Sequence, residues 1–165
     1  MGTGNVGSKL LTQLQQQFHS MQQNLRMNVR VVGLSNSRNM LFDTNGINLS
    51  NWHELLKDGE KASISKFVDV AIASNLRNSI FVDVTANKAV ADVYERFLTK
   101  SITVVACNKI AAASEYDNYK NLKELAKEFN CKFLFETNVG AALPVIGTLN
   151  DLVQSGDVVK RIEAV

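Results

Sequence analysis

Proline occurs once in this sequence, at Pro144, and cysteine twice, at Cys107 and Cys131. Two cysteines that far apart supply no paired-ligand zinc motif, and nothing indicates an oxidising compartment that would join them, so both are read as buried free thiols. No apolar run approaches the roughly 20 residues that span a bilayer. The N-terminus also lacks the basic flank and apolar stretch of a secretory leader. Charge of one sign is missing too: 18 basic and 16 acidic residues leave a net charge of +2, with no dense Lys/Arg cluster. A nucleic-acid partner is therefore not expected, nor a membrane one, and a cytoplasmic location fits best. What the chain does have is apolar content, 45% of 165 residues, enough to bury one substantial core.

The apolar residues alternate between two periods. Leu10, Leu14, Phe18, Met21 and Leu25 recur every three or four positions among glutamines, which predicts a long amphipathic helix. Val29 to Leu34 is short, β-branched and apolar, and it stops at the polar cluster Ser35-Asn-Ser-Arg38, as a buried parallel strand would. Asn51 and Glu54 have the spacing of a reciprocal helix cap. Further helices are expected around Ile64 to Ala71, Val90 to Phe97, Glu115 to Phe129 and Leu149 to Val153, the last stopping at Gly156. Strands are expected at Ile80–Thr85, Ile102–Ala106, Lys132–Phe135 and Val158–Val165. Strands alternating with helices predict an α/β, Rossmann-like, doubly wound parallel sheet with helices on both faces.

The opening Gly2-Thr-Gly4-Asn-Val-Gly7 has the spacing of a pyrophosphate-binding turn. In such a turn the first glycine permits the bend, the second lets the backbone approach the phosphates, and the third allows close helix packing. Alone, a glycine motif of this kind is a weak signal. The long helix and the following strand supply the right downstream context, whereas only Met1 precedes the motif. A chain truncated at both ends, wanting the strand that should feed Gly2, is the expectation. At the end of the second strand stands Ser35-Asn-Ser-Arg38 in place of the acidic residue usual for NAD. Arg38 has the fork of donors suited to a 2′-phosphate, so NADP is expected to be accepted at least as well as NAD. An ordinary surface role for Arg38 has equal weight.

Three strand ends carry further motifs: Asp83-Val-Thr-Ala-Asn87, Cys107-Asn-Lys109, and Glu136-Thr-Asn-Val-Gly-Ala-Ala-Leu-Pro144. With Gly33-Leu-Ser-Asn-Ser37 and Gly46-Ile-Asn-Leu-Ser-Asn-Trp52 they resemble homoserine dehydrogenase along essentially the whole chain, in the form fused behind an aspartate kinase domain. The resemblance implies hydride transfer between NAD(P)H and L-aspartate 4-semialdehyde, giving L-homoserine for threonine and methionine biosynthesis, in a homo-oligomeric full-length protein. It divides the chain into a cofactor domain over 1–143 and the start of a catalytic and dimerisation region over 144–165.

The resemblance also implies roles for individual residues. Gly2, Gly4, Asn5, Val6 and Gly7 would meet the cofactor through the first turn, Ser35 and Arg38 its adenosine end, and Thr85 its nicotinamide half. Lys109 would serve cofactor and catalysis, since an ammonium at a strand end polarises a carbonyl or moves a proton; otherwise it is a solvated loop lysine. Main-chain oxygens of Glu136, Val139, Ala141 and Leu143 would hold a sodium-like cation, a hard ion that prefers oxygen ligands. Ala142 departs from the glycine usual there, and Gly140 and Pro144 equally suit a plain strand-to-helix turn. Two other functions remain open: a non-catalytic dinucleotide-binding module that senses redox state, and a dehydrogenase of another small aldehyde. Most of the family's substrate-binding and catalytic residues lie beyond residue 165, so cofactor binding with little turnover is expected of this chain.

Overall fold

The computed structural model describes residues 1–141 and 143–163. Helix α1 spans Asn5–Leu25, a run of straight-chain glutamine, leucine and lysine that loses little rotamer freedom in a helix. It ends at Arg26, which takes a left-handed conformation (φ 53°). The predicted apolar stripe is real but only partly covered. Gly7 and Leu11 are buried, Leu10, Leu14 and Met21 half-buried, and Phe18 and Leu25 exposed.

The second segment departs from expectation. Strand β1 is confined to Gly33–Ser35 and pairs antiparallel with β2, Asn39–Phe42, which pairs antiparallel with β3, Glu60–Lys61. The polar cluster read as a strand stop is a hairpin turn. The Asn36 side-chain oxygen accepts the main-chain N–H groups of Arg38 (2.7 Å) and Asn39 (2.8 Å), and the Asn36 N–H donates to the Asn39 carbonyl. Asparagine does this because its short side chain imitates a backbone turn. Helix α2, Trp52–Lys57, begins where the cap spacing placed it, but no side-chain cap forms; Glu54 and Leu55 donate their main-chain N–H groups to the Asn51 carbonyl instead.

From residue 64 onward the parallel pattern holds. Helix α3, Ile64–Ala73, is capped by the Ser63 hydroxyl and leads to β4, Ile80–Asp83. The single helix expected around Val90 to Phe97 is broken into α4, Lys88–Ala91, and α5, Tyr94–Leu98, at Asp92 and Val93, both weak helix formers. Strand β5, Thr103–Ala106, pairs parallel with β4 and with β6, Phe133–Leu134, the latter reached through α6, Tyr116–Glu128. The molecule is thus α/β with a parallel sheet and an antiparallel hairpin beside it.

The main chain of Met1 and Gly2 joins the two sheets. Met1 N donates to the Val82 carbonyl (2.6 Å), Val84 N to the Met1 carbonyl (3.0 Å), and Gly2 N to the Ser35 carbonyl (2.8 Å). These two residues lie between β1 and β4 and lead directly into the first glycine turn. Helices lie on both faces of the sheet: α5 stacks Phe97 on Phe81 (centroids 4.1 Å apart), while α1 brings Gly7 against Val84, one residue past β4 and opposite in pleat. The larger core gathers Phe67, Phe81, Tyr94, Phe97, Leu98, Val104 and Phe133; a smaller one holds Leu11, Leu34, Ile47, Trp52 and Leu56.

Beyond a short 3₁₀ turn at Glu136–Asn138, helix α7 spans Ile146–Gln154 and stops before Gly156 (φ +104°), as expected, but buries none of its residues. The strand expected at Val158–Val165 is not formed over 158–163; residues 164 and 165 lie outside the described set. Its apolar residues Val158 and Ile162 are over 70% exposed, and among the described residues no strand offers them a partner. Cys107 and Cys131 are free, as expected, but only partly buried. Among the described residues no helix is long and apolar enough to cross a membrane.

Candidate functional site

A cleft of about 650 Å³ opens where the first turn, the β1–β2 hairpin and the end of β4 converge. It is lined by Met1 to Gly4, by Ser35 to Ser37, and by Val84, Thr85, Asn87 and Val90, with Ala62 and Ile64 completing the wall. Carboxyl ends of parallel strands beside a helix N-terminus are where open α/β sheets place ligands.

The three glycines of the first turn are not alike. Gly2 has φ +93°, and a Cβ there would meet the Val84 carbonyl oxygen at 2.8 Å. A Cβ on Gly7 would lie 2.1 Å from the Gly2 carbonyl oxygen. Both are required by the protein's own packing. Gly4 has no such reason: a Cβ there would have no heavy atom within 4 Å, and its φ of −73° suits any residue. The open space above Gly4 faces the start of α1. The first bond of that helix runs from Ser8 N to the Gly4 carbonyl, so the N–H groups of Asn5, Val6 and Gly7 lie ahead of it without a side-chain cap. Such amides, with the positive end of a 21-residue helix behind them, suit a diphosphate.

Of the other residues singled out by sequence, Ser35 is buried at the cleft wall, its carbonyl held by Gly2 N, and Thr85 lies across from it. Arg38 is exposed on the hairpin, next to the cleft-lining Ser37 but not itself part of the lining. Lys109 is exposed just past β5 and is also outside the lining. Sequence reasoning missed Asn36, Ser37 and Asn87, which line the cleft, and the signal was available in the turn-forming asparagines.

Beneath the cleft floor sits a buried polar cluster. The Asp83 carboxylate accepts hydrogen bonds from the Tyr94 hydroxyl (2.6 Å), the Asn108 amide (2.9 Å) and the Thr85 main-chain N–H (2.8 Å). Burial, and then the hydrogen bond to Asp83 and its charge, push the Tyr94 phenol far above the ordinary tyrosine range. A tyrosine kept neutral in the fold and free to ionise when unfolded adds stability in full below its unfolded pKa of about 10, and that stability is lost as the pH rises further. The expected result is that Tyr94 adds nothing to the absorbance at 295 nm before the onset of alkaline unfolding. Ionisation of Tyr94 in the folded chain, identified by comparison with Tyr94→Phe, would contradict this arrangement.

The Glu136 segment does something unanticipated. Its carboxylate accepts the main-chain N–H groups of Ile146 (2.8 Å) and Gly147 (2.7 Å), capping α7 from outside the helix. Gly140 and Ala141 are both left-handed (φ +67° and +51°), so the turn folds tightly, and the Glu136 and Leu143 carbonyls accept from Val139 and Val145. Ala142, noted as a departure from glycine, lies outside the described residues. Among those residues no cluster of three or more His, Cys, Asp or Glu side chains has the geometry to hold a metal ion.

Parallel strands, a helix N-terminus bared at a glycine turn, and a cleft between them define a Rossmann-type dinucleotide-binding domain. The chain belongs to the homoserine dehydrogenase family: the family profile described as "Homoserine dehydrogenase, NAD binding domain" matches residues 2–136. It is 36% identical over 167 residues to a chloroplastic bifunctional aspartokinase/homoserine dehydrogenase of Arabidopsis thaliana, covering 100% of this chain and 18% of that protein. A homoserine dehydrogenase of Schizosaccharomyces pombe is 35% identical over 168 residues, covering 100% of this chain and 44% of that one. A hyperthermophilic archaeal homoserine dehydrogenase solved in complex with NADPH superposes with a TM-score of 0.70 at 25% identity, over 90% of this chain and 46% of that chain. The chain therefore spans less than half the length of these relatives.

Proposed function

We propose that this chain is the cofactor-binding part of a homoserine dehydrogenase that uses NADP or NAD. The observation that carries the reading is Gly4: the protein leaves room for a Cβ there, yet the position is glycine and faces uncapped helix amides. Gly2, Gly4 and the N–H groups of Asn5, Val6 and Gly7 bind the diphosphate; Ser35 and Arg38 meet the adenosine end, and Thr85 the nicotinamide half. The cofactor supplies hydride transfer with L-aspartate 4-semialdehyde, forming L-homoserine on the route to threonine and methionine. Protein groups orient it and handle protons.

Residues 1–143 act as the cofactor domain, and 144–165 begin the catalytic and dimerisation region of a homo-oligomer; the apolar side chains of α7, none of them fully buried and Leu152 and Val153 about half exposed, support that division. Lys109 is the proton-handling group. Its place at the end of β5, directly after the anchored Asn108, supports this. In the longer protein, Lys109→Ala is expected to lower kcat on the order of 100-fold and, since Lys109 also meets the cofactor, to weaken cofactor binding by a smaller factor. Unchanged kcat would remove Lys109 from the mechanism and favour a non-catalytic dinucleotide module. A sodium-like cation at the oxygens of Glu136, Val139, Ala141 and Leu143 is the finer part of the proposal; the carbonyls already accepting a hydrogen bond keep a second lone pair for it. Comparing NADPH affinity in sodium and in choline chloride tests it, equal affinities counting against the site.

The test of the whole reading is a titration of the chain with NADPH and NADH, following nicotinamide fluorescence. Saturable binding with NADPH at least as tight as NADH is expected. Gly4→Ala should weaken it at least tenfold, about 1.4 kcal/mol, while leaving urea stability within about 0.5 kcal/mol of the original. A Gly4→Ala chain that binds as before would show that the space above residue 4 is not where the phosphates lie.

A further inference from the structure

Asp83 is wholly buried, and neither binding nor proton handling as described above gives its carboxylate a direct part. Its contacts reach two loops and the first residue of α5. One oxygen accepts from Thr85 N at 2.8 Å, in the loop that lines the cleft. The other accepts from the Tyr94 hydroxyl and from Asn108 Nδ2, in the loop that carries Lys109. Asn108, itself 2% exposed, closes the circuit: the same Nδ2 also donates to the Asn87 carbonyl (3.1 Å), and its Oδ1 accepts from Ile110 N (3.1 Å).

The cleft loop and the lysine loop are therefore tied through side chains as well as through the parallel pairing of β4 and β5. Among the described residues no buried side-chain nitrogen or oxygen lacks a partner, so this cluster is fully satisfied. Satisfied networks in a low-dielectric interior are stiff, because each member loses its only partners if it moves. Packing alone does not call for a polar cluster here, since apolar side chains of similar volume in place of all its members fill such a space at no greater cost.

We propose that Asp83, with Tyr94 and Asn108, is a positioning device that makes the Thr85–Asn87 and Asn108–Ile110 segments one mechanical unit, so that occupancy of the cleft at Thr85 is felt at the backbone of Lys109. The ligand in this statement rests on the dinucleotide reading; the linkage between loops does not. Asp83, Tyr94 and Asn108 touch no reacting atom in this scheme and act through Thr85 and Lys109.

Amide hydrogen exchange read residue by residue in the 165-residue chain tests it. Asn108→Ala removes a side chain that makes no hydrogen bond to Thr85, yet Thr85 N–H should exchange about tenfold faster than in Leu122→Ala, a core variant brought to the same stability with urea. Equal Thr85 exchange in the two variants overturns the proposal. If Asn108→Ala does not fold, Tyr94→Phe, which keeps the ring, is compared in the same way. Saturating NADPH should then slow exchange at Ile110 about tenfold in the unaltered chain and not in Tyr94→Phe; equal slowing in both overturns the transmission. Failure of the unaltered chain to bind NADPH sinks the dinucleotide reading, while the comparison without ligand still decides whether the loops are linked.

Discussion

Gly7→Ala is expected to destabilise the fold by about 3 kcal/mol and to abolish dinucleotide binding at concentrations that saturate the unaltered chain. The new methyl carbon would stand 2.1 Å from the Gly2 carbonyl oxygen and 3.1 Å from a Val84 methyl group. The oxygen is main chain, fixed on both sides: Gly2 N is bonded to the Ser35 carbonyl, and Met1 is bonded to Val82 and Val84. It cannot swing aside as the end of a flexible side chain would. Relief requires α1 to draw back from the sheet, which carries the helix amides away from the cleft and opens the contact around Leu11. Urea unfolding, with a fluorescence titration on whatever remains folded, checks both parts. An alanine variant of ordinary stability would mean that α1 is seated less closely than the structure places it.

Asp83→Ala is expected to cost about as much, roughly 3 kcal/mol, because two buried donors and the half-buried Thr85 N–H lose an acceptor together, Asn108 keeping only its bond to the Asn87 carbonyl, and each unsatisfied group costs roughly 1–3 kcal/mol. Those donors are the Tyr94 hydroxyl, the Asn108 amide and Thr85 N–H, and Tyr94 and Asn108 are at most 2% exposed. The truncation also leaves a void under the cleft floor. Against a total of about 5–15 kcal/mol for a typical domain, such a loss shifts much of the population to the unfolded state. Far-UV circular dichroism against urea at 25 °C measures it. Stability within about 1 kcal/mol of the original would show that water or rearranged side chains satisfy the donors at little cost.

Strands β4 and β5 were legible because Ile80 to Val84 and Ile102 to Ala106 are short apolar runs rich in β-branched residues, and the surrounding helices because their apolar residues keep a 3.6 period. The hairpin was not. Ser35 to Asn39 contains neither glycine nor proline, and its turn depends on one asparagine side chain whose two bonds no periodicity reveals. Val158 to Val165 has the composition of a strand, but a strand needs a neighbour, and composition is silent on whether one is present. At the site, glycine spacing gave Gly2 the bend, Gly4 the approach to a phosphate and Gly7 the close helix packing, but not the atoms that require glycine. For Gly2 and Gly7 those atoms include Val84, some 80 residues away in sequence. Tyr94 was read as one more apolar position on a helix. A buried phenol needs a partner for its hydroxyl, and looking for one near the end of a strand would have pointed to Asp83.

Glu136 makes α7 an arm with a fixed pivot. Two hydrogen bonds hold its first turn, and no side chain along its nine residues is buried to resist rotation. At about 1.5 Å per residue the arm is roughly 14 Å long, so a swing of about 10° at the pivot carries Gln154 through some ~2 Å. The heading on which the chain leaves the parallel sheet thus depends on the Glu136 carboxylate. Shortening that side chain by one methylene, as in Glu136→Asp, re-aims the arm by a change made inside the domain from which it projects.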